Sequence, residues 1–258
     1  ATYLDALERA FATRRNLPSC LDIGKAFQLI VGTSTGAVIG CGLAKGVAPA
    51  MMVNLYKLHG AKIFRRKLPS KFGWDFLTQL YSRPGDLKIG NEALKAALTD
   101  VFGTMTIREV WDQRGIALAV PAVNMGTYRS WVFKTPHIPK TDFRDDDYTL
   151  VDVCLASSAA PLFRSLAAIK RPHGEGSNVF ADGGLWANNP VLVALLEALR
   201  MSADRNDDIE VFALGSCGKP EGEVITADQV HRGLFDWKLG GEAAKVSIAA
   251  QEFAFDNM

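Results

Sequence analysis

Apolar residues along this chain recur at two periods, and the switching between them sets the expected architecture. Over residues 3–13, Leu4, Leu7, Ala10 and Phe11 fall at helical spacing while Asp5, Glu8 and Arg9 take the other faces, predicting an amphipathic helix. A loop containing Pro18 covers 14–24, and the apolar run 27–31 reads as a strand. Small apolar residues over 35–45 predict a helix stopped by Gly46, and Gly36, Gly40 and Gly42 there imply close packing against a sheet. Pro49 opens a further helix carrying Met52, Leu55 and Tyr56 as far as 59–60. The stretch 82–86 (SRPGD) reads as a turn, after which Asn91 caps a helix over 91–101 with Leu94, Ala97 and Leu98 on one face. A buried strand is expected over 115–123 (GIALAVPAV), its pairing interrupted at Pro121, and another strand over 128–134. A polar loop over 135–147, a helix over 150–160 ended by Pro161, and two short strands at 166–170 and 178–181 about a glycine turn follow. Asn189 and Pro190 open a helix running to Met201, residues 209–214 read as a last strand, and the tail over 241–253 as a helix. Strands alternating with helices argue for an α/β sheet with helices on both faces. No repeat or linker divides residues 1–258, which read as one domain.

Composition narrows the function classes. With 258 residues, 48% of them hydrophobic, the chain builds one sizeable core. A net charge of +1 gives no bulk attraction to a nucleic-acid polymer. Cys41 and Cys154 lie in apolar runs and read as buried thiols, which fits a reducing compartment; no metal-ligand spacing appears, so neither metal nor cofactor is expected. No apolar run is long enough to span a bilayer. Two local charge patterns stand out. Arg65, Arg66 and Lys67 precede Phe72 and Trp74, a basic and aromatic combination suited to an anionic membrane surface or, more plainly, to a solvated loop entering a helix. The run Asp145-Asp-Asp147 reads as a solvated acidic loop.

The candidate chemistry starts at Gly32-Thr-Ser-Thr-Gly36, directly after the 27–31 strand. Strand, tight turn and helix put Ser34 at the apex, with Gly32 and Gly36 easing the turn. The Thr35 N–H and the positive end of the following helix dipole favour developing negative charge there, as an oxyanion or as a bound anion. A serine nucleophile needs a base. Ser34, Asp182 and His231 supply a formal triad, but too few residues precede the turn for the usual fold of that triad, and His231 lies in a charged, loop-like stretch. Asp182 is the stronger candidate: it stands at a strand exit, Gly183 and Gly184 turn the chain away, and desolvation beside an acyl chain raises its basicity.

Three blocks, Gly32-Thr-Ser-Thr-Gly36, Ala156-Ser-Ser-Ala-Ala-Pro161 and Asp182-Gly-Gly-Leu-Trp-Ala-Asn-Asn-Pro190, resemble the patatin-like phospholipase family in order and spacing over residues 1–216. The resemblance implies a single-domain three-layer α/β sandwich with a central, mostly parallel sheet. It implies lipid acyl hydrolysis of the phospholipase A type by a Ser34–Asp182 dyad through an acyl-serine, without cofactor. The expected substrate is a phospholipid, met in transient contact with a membrane surface, and the expected location is cytoplasmic, at the membrane's inner face. Some bacterial members are effectors that a cyclic nucleotide switches on to degrade the cell's own membrane in antiviral defence, so a small-molecule activator is a further expectation. The family's Gly-rich oxyanion loop, Asp-Gly-Gly-Gly-x-Arg/Lys-Gly, does not occur here; the chain begins at Ala1 inside the helix that follows it, so that loop and the first strand are expected upstream. Two other readings stay open: an esterase using His231, and a non-catalytic lipid- or ligand-binding module whose turn holds an anion.

Overall fold

The apolar run around Pro121 becomes β2 (Ala117–Asn124), buried at every position but Val123, and the sheet is built on it. The computed structural model describes residues 1–17, 21–64, 74–139, 143–161, 163–202, 207–215, 225 and 241–252. One edge of β2 pairs antiparallel with β3 (Arg129–Lys134), from Ala119↔Lys134 to Asn124↔Arg129. Two strands share the other edge. β1 (Leu29–Val31) runs parallel to β2 and ends at Val31↔Ala119. β5 (Ser177–Asp182) runs antiparallel and ends at Ala122↔Asp182, after a hairpin with β4 (Ala167–Lys170). β1 and β5 therefore approach one another head to head, separated along β2 by Val120 and Pro121. Proline has no N–H for the ladder, and the change of partner falls where that donor is missing.

Among the described residues the sheet is mixed, with one parallel and three antiparallel pairings. This corrects the expected mostly parallel sheet: β5 enters through a hairpin, and hairpin partners run antiparallel. The period-2 alternation of the strands divides two apolar layers. Ile30, Leu118, Val120, Ala122, Phe133 and Phe180 face the main core. Over that face lie α2 (Thr35–Lys45), α3 (Pro49–Ile63), α4 (Trp74–Phe102) and α6 (Leu150–Ser157), with α1 (Thr2–Arg14) packed on α3. Leu29, Val31, Ala119 and Val132 face the opposite way and meet Ala187 and Val193 of α7 (Gly184–Ala187) and α8 (Val191–Met201). α5 (Ile107–Arg114) opens with a capping box of Thr106 and Glu109, and α9 (Gly241–Glu252) reaches α7. Helices on both faces of one sheet match the expected α/β architecture. Among the described residues no helix is long and apolar enough to cross a membrane.

Several local expectations give way to packing. Residues 82–86 are helical rather than a turn, and Asn91 lies inside α4 rather than at its start. The core contacts of Leu94, Ala97, Leu98 and Phe102 outweigh the local preference of Pro84-Gly85. Asn91 instead accepts a hydrogen bond from Arg164. Residues 209–214 carry no strand: Phe212 meets the Phe27 ring at 6.2 Å, but the segment does not join a ladder and Val211, Phe212 and Leu214 stay exposed. The helix expected from Pro190 starts at Val191, and the stretch before it folds as α7. Asp145 is not solvated. It is 4% exposed and accepts from Trp131 Nε1 at 3.2 Å and Lys134 N at 3.1 Å, tying the loop to the aromatic layer of Trp131, Phe133 and Phe180.

Burial, opposed by Arg144 and these hydrogen bonds, pushes the Asp145 carboxyl from its ordinary 3.8 up to about 6. A raised carboxylate pKa means that the folded chain keeps a proton the unfolded chain has released. That stabilisation is complete below the ordinary value and is lost as pH rises through 6, a loss of about 3 kcal/mol. Asp145→Asn, which cannot ionise, is expected to remove this slope from urea-unfolding free energies measured between pH 4 and 7. A slope equal to wild type contradicts the assignment.

Candidate active site

The site forms where the two head-to-head strands release the chain. β1 ends, and Gly32 and Thr33 lead to Ser34, the N-cap residue of α2, with φ 57° and ψ −119°. A non-glycine residue in this region carries about 1–3 kcal/mol of strain, which only surrounding contacts can hold. Those contacts are present. Ser34 N donates to Ser157 Oγ at 2.9 Å, Thr33 Oγ1 donates to Ala187 O at 2.7 Å, and Gly36 N donates to Thr33 O at 2.8 Å. At Gly32 a Cβ would fall 2.2 Å from Gly36 O, so only glycine closes this turn.

The other strand delivers the carboxylate. Ser34 Oγ donates to Asp182 Oδ2 at 2.7 Å, and Asp182 Oδ1 accepts from Gly184 N at 2.7 Å. The end of α6 and the residues just after it grip both partners: Ser157 Oγ takes Ser34 N, Ser157 O takes Gly183 N at 3.2 Å, and Ala159 O takes Asp182 N at 3.0 Å. A Cβ at Gly183 would stand 2.2 Å from Pro121 O, so the strand gap and the absence of a side chain at this position belong together.

Electrostatics favour a serine–carboxylate pair able to exchange a proton. Asp182 is 5% exposed. Burial raises its pKa, while the Ser34 hydroxyl, the Gly184 N–H and the Arg164 charge hold it back; the net direction is upward. Burial lowers the Arg164 pKa to about 10, against the pull of Tyr56 and Asp182. Burial also raises the pKa of Tyr56, whose hydroxyl lies by the Thr35 side chain. The arrangement can pass the Ser34 proton to Asp182 as Oγ attacks an electrophile. Thr35 begins α2, and its N–H has no acceptor among the described residues, leaving a donor at the positive end of the helix.

Of the residues singled out in the sequence, the structure brings together Ser34, Thr35, Asp182, Gly32, Gly183 and Gly184. Gly36 flanks the turn, but a Cβ there would meet nothing within 4 Å, so the turn does not require it. Gly183 has ordinary helical angles, so its glycine serves space rather than conformational freedom. Arg65, Arg66, Lys67 and Phe72 lie outside the described residues; Trp74 opens α4. His231 also lies outside them. None of the described histidines bonds to the pair: His137 is buried against Thr135 and Glu197, and His173 pairs with Asp147. Two participants escaped the sequence reading. Ser157 lies in the Ala156–Pro161 block, on the helix expected over 150–160, and nothing in that spacing marks its hydroxyl as an acceptor for another segment. Arg164 is a lone cation between Pro161 and Ile169, a signal that points to a special environment.

The Patatin-like phospholipase family model matches residues 2–195. The chain is 34% identical over 238 residues to a cGAMP-activated phospholipase of Pseudomonas aeruginosa, covering 92% of this chain and 65% of that protein. Proteins of the same name in Escherichia coli and Vibrio cholerae are 32% and 30% identical, covering 84% and 89% of this chain and 57% and 64% of theirs. The chain thus spans 57–65% of the length of these relatives. It belongs to the patatin-like phospholipase family.

The hydrogen bond from Ser34 stabilises the Asp182 anion, so its removal has a definite sign. Carbon-detected NMR titration of the Asp182 carboxyl is expected to give a midpoint above 3.8, and Ser34→Ala to move it higher still. A midpoint that falls in Ser34→Ala contradicts the hydrogen-bond assignment.

Proposed function

We propose that this member of the patatin-like phospholipase family is a lipid acyl hydrolase of the phospholipase A type, with residues 1–258 as one catalytic unit. The observation that carries the reading is the 2.7 Å hydrogen bond from Ser34 Oγ to the buried Asp182 carboxylate, on a strained turn at a helix N-terminus. Ser34 Oγ attacks the ester carbonyl as Asp182 takes its proton. The negative charge passes to the carbonyl oxygen, where the Thr35 N–H and the α2 dipole stabilise it; the family resemblance implies further donors from a Gly-rich loop. Collapse breaks the ester bond, and the departing alkoxide receives the proton held on Asp182. Asp182 then deprotonates a water that attacks the acyl-serine carbonyl; the bond to Ser34 Oγ breaks, the fatty acid leaves, and Asp182 gives the proton back to Ser34 Oγ.

The substrate on this reading is a membrane phospholipid, reached by transient contact at the cytoplasmic face, with Arg65, Arg66, Lys67, Phe72 and Trp74 as the contact residues. The relatives named cGAMP-activated phospholipases support a cyclic-nucleotide activator for this protein as well.

Fatty-acid release from phospholipid vesicles, assayed with and without cGAMP, is expected to fall by about a thousandfold in Ser34→Ala and in Asp182→Ala, while His231→Gln stays within about threefold of wild type. A loss in His231→Gln equal to that in Asp182→Ala would overturn the dyad in favour of a triad.

A further inference from the structure

The dyad chemistry leaves Arg164 without a task. Its side chain is 7% exposed, yet its hydrogen-bond partner among the described residues is a neutral amide: Nη2 donates to Asn91 Oδ1 at 2.9 Å. Buried arginines ordinarily recover their lost hydration from a carboxylate, since an uncompensated buried charge is strongly destabilising. The guanidinium is also not sealed off. The buried polar side-chain atoms closed in without a partner among the described residues are His137 Nε2 and Glu197 Oε2, not those of Arg164. A rigid fork of five donors, one of them committed to Asn91, remains available to an anion.

Its place in the fold ties this fork to the reacting pair. Arg164 N donates to Ala160 O at 2.9 Å, and the adjoining Ala159 O holds Asp182 N at 3.0 Å. The Arg164 charge is felt both by Asp182 and by Tyr56, whose hydroxyl lies by the Thr35 side chain. A glycerophospholipid carries its phosphodiester a few bonds from the scissile ester, so a cation near enough to Asp182 to act on its charge is a fitting partner for that phosphodiester. We propose that Arg164, held by Asn91, binds the phosphodiester of the substrate headgroup and so selects phospholipids over uncharged esters. This rests on the phospholipase reading above.

The test separates binding from turnover. In a Ser34→Ala background, which cannot turn over, the dissociation constant is measured for a short-chain phosphatidylglycerol and for the uncharged diacylglycerol with the same chains. Adding Arg164→Gln is expected to weaken phosphatidylglycerol binding about thirtyfold and diacylglycerol binding by no more than about twofold, with Arg164→Lys recovering part of the loss. Asn91→Leu, which frees the fork without removing the charge, is expected to weaken phosphatidylglycerol alone by about threefold to tenfold. In the active protein, Arg164→Gln is expected to lower kcat/KM on phosphatidylglycerol mainly through KM, and by a much larger factor than on a nitrophenyl ester, which shares only the change at Asp182. Equal losses on charged and neutral substrates, with the acid limb of the pH profile displaced, would make Arg164 a positioning residue for Asp182 and overturn the proposal. Displacement of phosphatidylglycerol by cGAMP in a manner that depends on Arg164 would assign the fork to the activator's phosphodiester and also overturn it. Should the wild type hydrolyse neither ester, the phospholipase reading fails, and the binding comparison still decides the role of Arg164.

Discussion

The structure depends on one constraint: two strands must share a single edge of β2 without touching. β1 comes up that edge in parallel and β5 comes down it antiparallel, so both chain exits face the two-residue interval at Val120 and Pro121. Either strand alone would bring one functional side chain to an ordinary strand end. Together they put the residues released by each exit within hydrogen-bond reach, which is how Ser34 and Asp182, 148 residues apart in sequence, come to lie 2.7 Å apart. Pro121 serves this arrangement twice. It supplies no donor where the ladder changes partner, and its carbonyl lies so close to Gly183 that no larger residue fits there.

Holding that geometry costs free energy, and the surrounding structure offsets it. Ser34 sits in a backbone region that non-glycine residues avoid, and Asp182 is a carboxylate withdrawn from water. The C-terminal end of α6 answers both demands at once through Ser157 and, just beyond the helix, Ala159, while α6 itself is buried from Leu150 to Ser157 apart from the capping Asp152. The rigidity of the pair therefore comes from a helix anchored in the main core and not from the site's own loops. Preorganisation of this kind leaves little reorganisation for the chemical step. The same burial shifts the Asp182 pKa upward and so strengthens it as a base.

Much of this was legible in the residues, and the failures share a physical cause. Periodicity or continuous apolar runs found α1, α2, α3, β2, β3 and the β4–β5 hairpin, because each writes its burial into its sequence, on one face for α1 and β4 and nearly throughout for α2 and β2. The pause at Pro121 was readable because a missing N–H is a local fact. Ser34 and Asp182 were readable because each stands at a strand exit beside glycine. Strand direction in the sheet was not, since nothing local says which edge of β2 the β4–β5 hairpin joins or which way β5 runs along it. The helical course through Pro84-Gly85 was not, since packing against the core decided it. Asp145 looked solvated because its partners, Trp131 and the Lys134 backbone, come from another strand. Arg164 and Ser157 share that limitation: their roles consist entirely of contacts across the fold.

The measurement closest to the central claim is peptide mapping after incubation with a fluorophosphonate, which bonds covalently to an activated serine hydroxyl. A single adduct is expected on the peptide containing Ser34 in the activated wild-type protein, with labelling slowed by at least about a hundredfold when Asp182 is replaced by Asn. Absence of an adduct at Ser34 under activating conditions, or equal labelling of the two proteins, would contradict it.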